Sequence, residues 1–264
     1  MFLHKELIHS YFKANKEKFE QNFTIVVHSP DEEVIHDMRV SIKRLRLLYK
    51  LLNSISYGKF KIKKTLKLLL KIFKSAAKLR DTQIQIALLY KIEKELHIDL
   101  SELIAKHQKK EQQETERMKQ KLLSVKYSKI TKQFEKSENK IKQLSDNESL
   151  NSEFRLFFNN KLRKINQELS RQVNNYHKTR KRIKDLSYLF EIKYFNSEVP
   201  NELVALKKMG NLLGYWHDID ILINTVHFEN QEIIQAYLKE KQQKLIEEFN
   251  ALYSTFSSNI QKKD

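Results

Sequence analysis

Two segments of this chain carry the same cationic side chains at the same spacing. In each segment a His is followed at +3 by Arg and at +7 by Lys. The two sets are His36, Arg39 and Lys43, and His177, Arg180 and Lys184. These three positions fall on one face of an α-helix, so each segment presents a line of cationic hydrogen-bond donors. The chemistry that this spacing predicts is anion binding.

The apolar residues of the two segments match as well, and they define the helices that must position the cations. The matched sets are Ile42, Leu45, Leu48 and Tyr49, and Ile183, Leu186, Leu189 and Phe190. They lie on another face of each helix, which is therefore predicted to be buried. The first helix is predicted to begin with Ser29 as N-cap and Glu32 completing a capping box, and to end near Gly58.

A second cationic stripe follows in the next predicted helix, residues 60–79. Its lysines recur at spacings of 3 and 4, as Lys64, Lys67, Lys71, Lys74 and Lys78. Normal solvated faces interleave acidic residues that offset like-charge repulsion, but Asp37 is the one acid between Glu33 and Asp81. The stripe is therefore predicted to bind a polyanion. The apolar residues of this helix predicted to face the core are Leu66, Leu69, Leu70, Ile72, Phe73 and Ala76.

Composition favours an all-α fold. Three Gly and two Pro among 264 residues are too few for the tight turns of a sheet-rich protein. The 50 Lys and Arg against 33 Asp and Glu give a net charge of +17, which favours a polyanionic partner. The absence of Cys fits a reducing compartment, and no apolar stretch is long enough for a membrane span or a signal peptide. A soluble, cytoplasmic protein is expected.

The second half of the chain repeats the order of the first. The segment 216–221 (Trp-His-Asp-Ile-Asp-Ile) lines up with 79–84 (Leu-Arg-Asp-Thr-Gln-Ile), and the intervals from His36 to Asp81 and from His177 to Asp218 differ by four residues. Such regularity favours duplication. The polar segment 145–152 marks the boundary. We therefore predict two antiparallel helical bundles of about four long helices each, residues 1–148 and 149–264.

The duplicated unit, a His-x-x-Arg-x-x-x-Lys helix followed some 40 residues later by an (Arg/His)-Asp-x-(Asp/Gln)-Ile segment, resembles the CHAD family, the conserved histidine α-helical domain. The resemblance covers nearly the whole chain. It implies two bundles related by a pseudo-two-fold axis, with basic motif helices facing a shared groove or channel, and binding of inorganic polyphosphate. Association with polyphosphate granules in the cytoplasm would be consistent with that binding.

The resemblance also indicates which side chains should contact polyphosphate. The direct contacts are expected from His36, Arg39, Lys43, Arg46, Lys50, His177, Arg180, Lys181 and Lys184. The groove wall is expected to be lined by Lys67, Lys71, Lys74, Lys78 and Arg80. The second half departs from the family pattern at Asp185, at Glu191 and at His217, which replaces the usual Arg. Fewer anion contacts are therefore expected there.

Structural roles compete with these functional ones. Either motif His could be a partly buried residue that hydrogen-bonds within its bundle, although repetition with Arg and Lys favours anion contact. Asp81 and Asp218 are predicted to orient a motif His or Arg and to favour its charged form. Metal binding is not expected at the motif His residues, because their neighbours are cations. No cofactor is expected.

The function predicted is non-catalytic polyphosphate binding. The main alternative is a helical nucleic-acid-binding protein, because the same stripes suit a phosphodiester backbone. Against it stand the lack of a known DNA-binding motif and of aromatics interleaved with the basic stripe. An enzyme acting on phosphoanhydrides is a further alternative, but the chain lacks a glycine-rich phosphate loop, an acidic metal-binding cluster and a candidate nucleophile. Protein partners and oligomeric state are left open.

Overall fold

The structure of the chain, a computed structural model, describes residues 3–58, 60, 62–145, 148–170, 175–228 and 231–261. All regular secondary structure in these ranges is α-helical, which confirms the predicted fold class. The helices are α1 (Lys5–His28), α2 (Glu32–Ile55), α3 (Lys63–Ser75), α4 (Ala77–Leu96), α5 (Ser101–Leu123), α6 (Tyr127–Lys142), α7 (Glu148–Leu169), α8 (Tyr176–Lys193), α9 (Asn201–Thr225) and α10 (Gln231–Gln261). None of these helices has the length and apolar character needed to cross a bilayer.

The chain divides into two compact units, unit 1 (residues 1–157) and unit 2 (residues 158–264). The division falls within α7. In the polar segment 145–152 that the sequence suggested as a boundary, residues 146 and 147 lie outside the described residues.

Unit 1 is built around α1, which packs along α2 and contacts α5 and α6. Its core is aromatic: the ring of Phe12 meets those of Tyr49 and Phe134 edge-on at centroid distances of 6.3 and 6.0 Å. Such edge-to-face pairs add to the free energy gained from burying the rings. The Tyr49 hydroxyl lies 3.0 Å from the Ser137 hydroxyl, which satisfies a polar atom inside this core. The buried face of α2 is thereby fixed, and its cationic face must point elsewhere.

The start of α2 differs from the prediction. Ser29 closes the end of α1, where its backbone N–H donates to the Ile25 carbonyl at 2.7 Å. Asp31 is the N-cap of α2, and its carboxylate accepts from the backbone N–H groups of Glu33 and Val34. The predicted Ser29 cap was wrong because α1 runs to His28, so that Ser29 closes that helix, and Asp31, beyond Pro30, is an equally good capping residue.

The helix predicted over residues 60–79 is two helices, α3 and α4, separated at Ala76. Ser75 donates from its hydroxyl to the Ile72 carbonyl at 2.7 Å, a contact that competes with the helical ladder. The break leaves the carbonyl groups in the last turn of α3 without partners further along that helix. Lys78 and Arg80 consequently belong to α4.

In unit 2, α9 packs against both α8 and α10. Two glycines of α9 allow α8 to approach closely: a Cβ added to Gly210 would lie 3.6 Å from Lys184 Cγ, and one added to Gly214 would lie 3.8 Å from Arg180 Nε. Unlike the α3 and α4 pair of unit 1, α9 is continuous from Asn201 to Thr225. The long side chains of the α8 motif therefore lie on an unbroken helix backbone.

Candidate functional site

The predicted cationic face of α2 is accessible to solvent in the folded protein. His36 and Lys50 are exposed at its ends, and Arg39, Lys43 and Arg46 are half-buried between them. Asp37, the acid within this segment, forms an ion pair with Lys18 of α1, whose Nζ lies 2.8 Å from its carboxylate. The charge of Asp37 is therefore offset by Lys18 and does not neutralise the cations on this face. The five residues expected to contact an anion thus share one helix, and three of them converge on one neighbour.

That neighbour is Phe73 of α3. Arg39 stacks on the Phe73 ring with its guanidinium carbon 4.1 Å from the centroid, and Arg39 Nη1 donates to the Phe73 carbonyl at 2.8 Å. Lys43 Nζ and the Arg46 guanidinium carbon lie 5.7 and 5.8 Å from the same centroid. The sequence placed Phe73 in the core because its spacing matches that of buried residues. It is half-buried instead and supports the cations of α2.

The lysine stripe of α3 and the first turn of α4 is solvent-exposed throughout. Its members are Lys64, Lys67, Lys71, Lys74 and Lys78. Over the part of the chain that the structure describes, none of them makes an ion pair with a carboxylate. Lysines on other helices do pair locally, as Lys91 does with Glu95 and Lys244 with Glu240. Beneath the stripe, Leu69, Ile72 and Ala76 are fully buried, and Leu66 and Leu70 are half-buried.

Two residues from the start of α4 were also expected to take part. Arg80 donates through Nη1 to the carboxylate of Glu32, in the first turn of α2. Asp81 is exposed. The charge of Arg80 is therefore partly neutralised by a carboxylate. Among the described residues, the α3 lysines have no such ion pair.

Unit 2 holds its matching cations differently. Lys184 lies against Gly210, and burial lowers its pKa, as does the charge of Arg180, while Asp218 opposes the shift. Lys181 is exposed beside them. Asp218, which was expected to act on a motif His or Arg, favours the charged form of Lys184 as well.

His177 contacts His217 of α9, with their Nδ1 atoms 3.2 Å apart and their ring centroids 4.4 Å apart. Burial lowers the pKa of His177, with Lys181 and Arg180 adding to the effect, and Asp220 opposes it. Burial and the Arg180 charge lower the pKa of His217 to about 4. Asp220, and not Asp218, is the carboxylate that favours a charged His177. The neighbouring cations outweigh it, so the expected preference for a charged ring does not hold in the free protein.

The two acids that interrupt the second stripe are engaged by lysines of the same unit. Lys161 of α7 binds the Asp185 carboxylate, and Lys207 of α9 lies 3.7 Å from Glu191. These pairs offset the acidic charge along α8. Among the described residues, no group of three or more His, Asp or Glu side chains is arranged to hold a metal ion.

Sequence reasoning missed Phe73, Asp220 and the two glycines of α9, and it treated His217 only as a lost Arg. One difference between the two copies could have been found in the sequence. When Asp81 is placed opposite Asp218, Phe73 falls opposite Gly210. An aromatic in one copy and a glycine in the other indicates that the two copies support their motif cations differently.

Comparison with known proteins agrees with the all-helical fold. The family model described as CHAD domain matches residues 10–227. A crystal structure of the CHAD domain from the plant Ricinus communis is similar, with 18% identity, a TM-score of 0.71 and coverage of 96% of this chain and 91% of that chain. PptA from Streptomyces chartreusis is similar at 12% identity and a TM-score of 0.53, over 98% and 99% of the two chains. A search among proteins of curated function gave no match.

The helices and their paired motifs define an all-α protein with cationic helix faces. The match of the family model over most of the chain identifies its class: this chain belongs to the CHAD domain family. At these identities the two solved structures bear on the fold alone.

Proposed function

We propose that this protein binds inorganic polyphosphate and does not catalyse its turnover. The observation that carries the proposal is the exposed lysine stripe of α3 and α4, whose members lack acidic partners among the described residues. Like charges at spacings of 3 and 4 repel each other, so their persistence on one face is explained by a polyanion that neutralises them. Beside this stripe, Arg39 and Arg46 supply planar guanidinium groups that suit phosphate oxygens.

Polyphosphate fits these features better than nucleic acid does. It offers closely spaced phosphates without bases, so a site built from cations alone can engage it. Phe73 does lie within the basic stripe, where an aromatic could in principle stack on a base, but Arg39 already covers a face of its ring. Nucleic acid is therefore the weaker candidate.

We further propose that unit 2 contributes a second, smaller set of contacts and that the two units are copies of one ancestral bundle. The same His, Arg and Lys spacing occurs on α2 and α8, and in each unit the motif helix packs against the helix that follows it. The proposal includes the shared groove and the pseudo-two-fold axis that membership of the family implies.

A competition assay tests the proposal. Labelled long-chain polyphosphate bound to the full chain at near-physiological salt is challenged with single-stranded and double-stranded nucleic acid at equal phosphate concentration. Polyphosphate should resist displacement, and incubation with it should release no orthophosphate. Displacement by either nucleic acid at equal concentration would favour the nucleic-acid alternative, and phosphate release would favour an enzyme.

A further inference from the structure

Three cationic side chains of α2 gather on one aromatic residue of the neighbouring helix. Arg39 lies in contact with the Phe73 ring, 4.1 Å from its centroid, and Lys43 and Arg46 lie at its margin, within 6 Å. The electron-rich face of an aromatic ring attracts cations over this range of distances. The ring thus offsets repulsion among three like charges that α2 places one turn apart.

The backbone of Phe73 reinforces the contact. Phe73 lies in the last turn of α3, where carbonyl groups have no partner further along the helix and the helix dipole is negative. Arg39 Nη1 donates to this carbonyl at 2.8 Å. The break at Ala76 is what ends α3 at this point. Arg39 is therefore held twice by one residue, through its ring and through its carbonyl oxygen.

Unit 2 lacks both parts of this support. The position matching Phe73 is Gly210, which has no ring and lies within the continuous α9, where carbonyl groups are used by the helix itself. Lys184, the counterpart of Lys43, occupies the space next to this glycine. The same motif is therefore displayed on an aromatic support in unit 1 and lies against bare backbone in unit 2.

We propose that Phe73 is a positioning residue for anion binding, holding Arg39, Lys43 and Arg46 as a preformed set of donors and making unit 1 the stronger of the two anion sites. The inference rests on the proposed function. Preformed donors lose less side-chain entropy on binding, so the ring raises affinity without touching the ligand.

The stack can be tested first in the free protein. A stacked guanidinium experiences the ring current of Phe73, so the side-chain N–H and Hδ signals of Arg39 should be shifted in NMR spectra of the wild-type protein. Phe73→Leu should remove the shift. Unshifted Arg39 signals in the wild type would overturn the inference, whatever the protein binds.

Affinity for long-chain polyphosphate tests the consequence. Phe73→Leu should weaken binding about three- to ten-fold, the range expected from one close and two marginal cation–aromatic contacts. Phe73→Tyr keeps the ring and should bind within about two-fold of wild type. The matched control is Phe23→Leu, the same substitution at a buried ring of α1 that stacks on Tyr127. Equal losses in Phe73→Leu and Phe23→Leu would reduce Phe73 to a packing residue.

A double-mutant cycle separates positioning from general stability. In a background with Arg39, Lys43 and Arg46 replaced by Ala, Phe73→Leu should cause no further loss of affinity, because nothing is left to position. A loss as large as in the wild-type background would overturn the inference. If the wild-type protein binds no polyphosphate, the proposed function fails, and the Phe73 stack is then judged by the NMR shift alone.

Discussion

The Nδ1 atoms of His177 and His217 lie 3.2 Å apart, across the packed helices α8 and α9. At this distance one ring donates and the other accepts, so the pair cannot hold two protons at Nδ1 without breaking the contact. Burial lowers the pKa of both rings, that of His217 to about 4, and the cations Arg180 and Lys181 add to the effect. The pair is therefore neutral in the free protein at pH 7.

The first prediction is that unit 2 loses stability as pH falls from about 7 to 4. The unfolded chain takes up protons on these His residues near pH 6.5, whereas in the folded protein the pKa of His177 is lowered and that of His217 is about 4, so the free energy of unfolding falls through this window. The loss should be about 1–2 kcal/mol after allowance for solvent screening. Urea unfolding followed by fluorescence of Trp216, the chain's one tryptophan, reports on this unit.

His217→Gln should flatten that pH dependence, and His227→Gln, an exposed His of the same unit, should leave it unchanged. An equal slope in wild type and His217→Gln would show that the His pair does not govern the acid response.

The second prediction concerns protons taken up on binding. A bound phosphate stabilises the charged form of a neighbouring His, so polyphosphate should draw protons onto a site that is neutral when empty. Affinity should rise as pH falls from 8 toward 6. Calorimetric titrations in buffers of different ionisation enthalpy measure the uptake directly. The His177→Gln, His217→Gln double variant should take up fewer protons at pH 6.5. Unchanged uptake would leave these residues with a structural role only.

Third, the two motif helices should contribute unequally. Replacing Arg39, Lys43 and Arg46 together by Ala should weaken polyphosphate binding more than replacing Arg180, Lys181 and Lys184. The first set is stacked on Phe73 and continues to the exposed Lys50, whereas Lys184 is packed against Gly210 and charged less readily. Circular dichroism checks that both variants fold. A larger loss from the second triple variant would reverse the assignment of the stronger site.

The sequence predicted much of this account because much of it is periodic. The cationic and apolar faces of α2 and α8 follow from 3.6 residues per turn, and the all-helical fold and the family are confirmed. Periodicity could not predict the tertiary contacts between helices. Phe73 has the spacing of a core residue, and only the end of α3 at Ala76 turns its ring and carbonyl toward Arg39. The contact between His217 and His177 joins residues 40 positions apart, so no local pattern in the sequence could predict it. His217 was therefore interpreted only as a position where a cation had been lost.

The fourth prediction uses the glycines. Gly210→Ala should stabilise unit 2 by about 0.5–1 kcal/mol, because alanine favours helix and the added Cβ meets Lys184 at an ordinary contact distance of 3.6 Å. Gly58→Ala is the matched control. A Cβ added at Gly58 would meet nothing within 4 Å, but the φ of +81° is strained for alanine, so this substitution should destabilise unit 1. Thermal unfolding of both variants measures the effect, and destabilisation by Gly210→Ala would contradict the ordinary contact distance between the added Cβ and Lys184.

The dependence of polyphosphate affinity on salt tests the central claim most directly. If the stacked cations of α2 and the exposed lysines of α3 bind the ligand, affinity should fall by orders of magnitude between about 50 and 200 mM salt, by analogy with counterion release from nucleic acids. Replacing Lys67, Lys71, Lys74 and Lys78 by Gln should make that decline shallower. A wild-type affinity that stays flat across this range would contradict binding through these cationic faces.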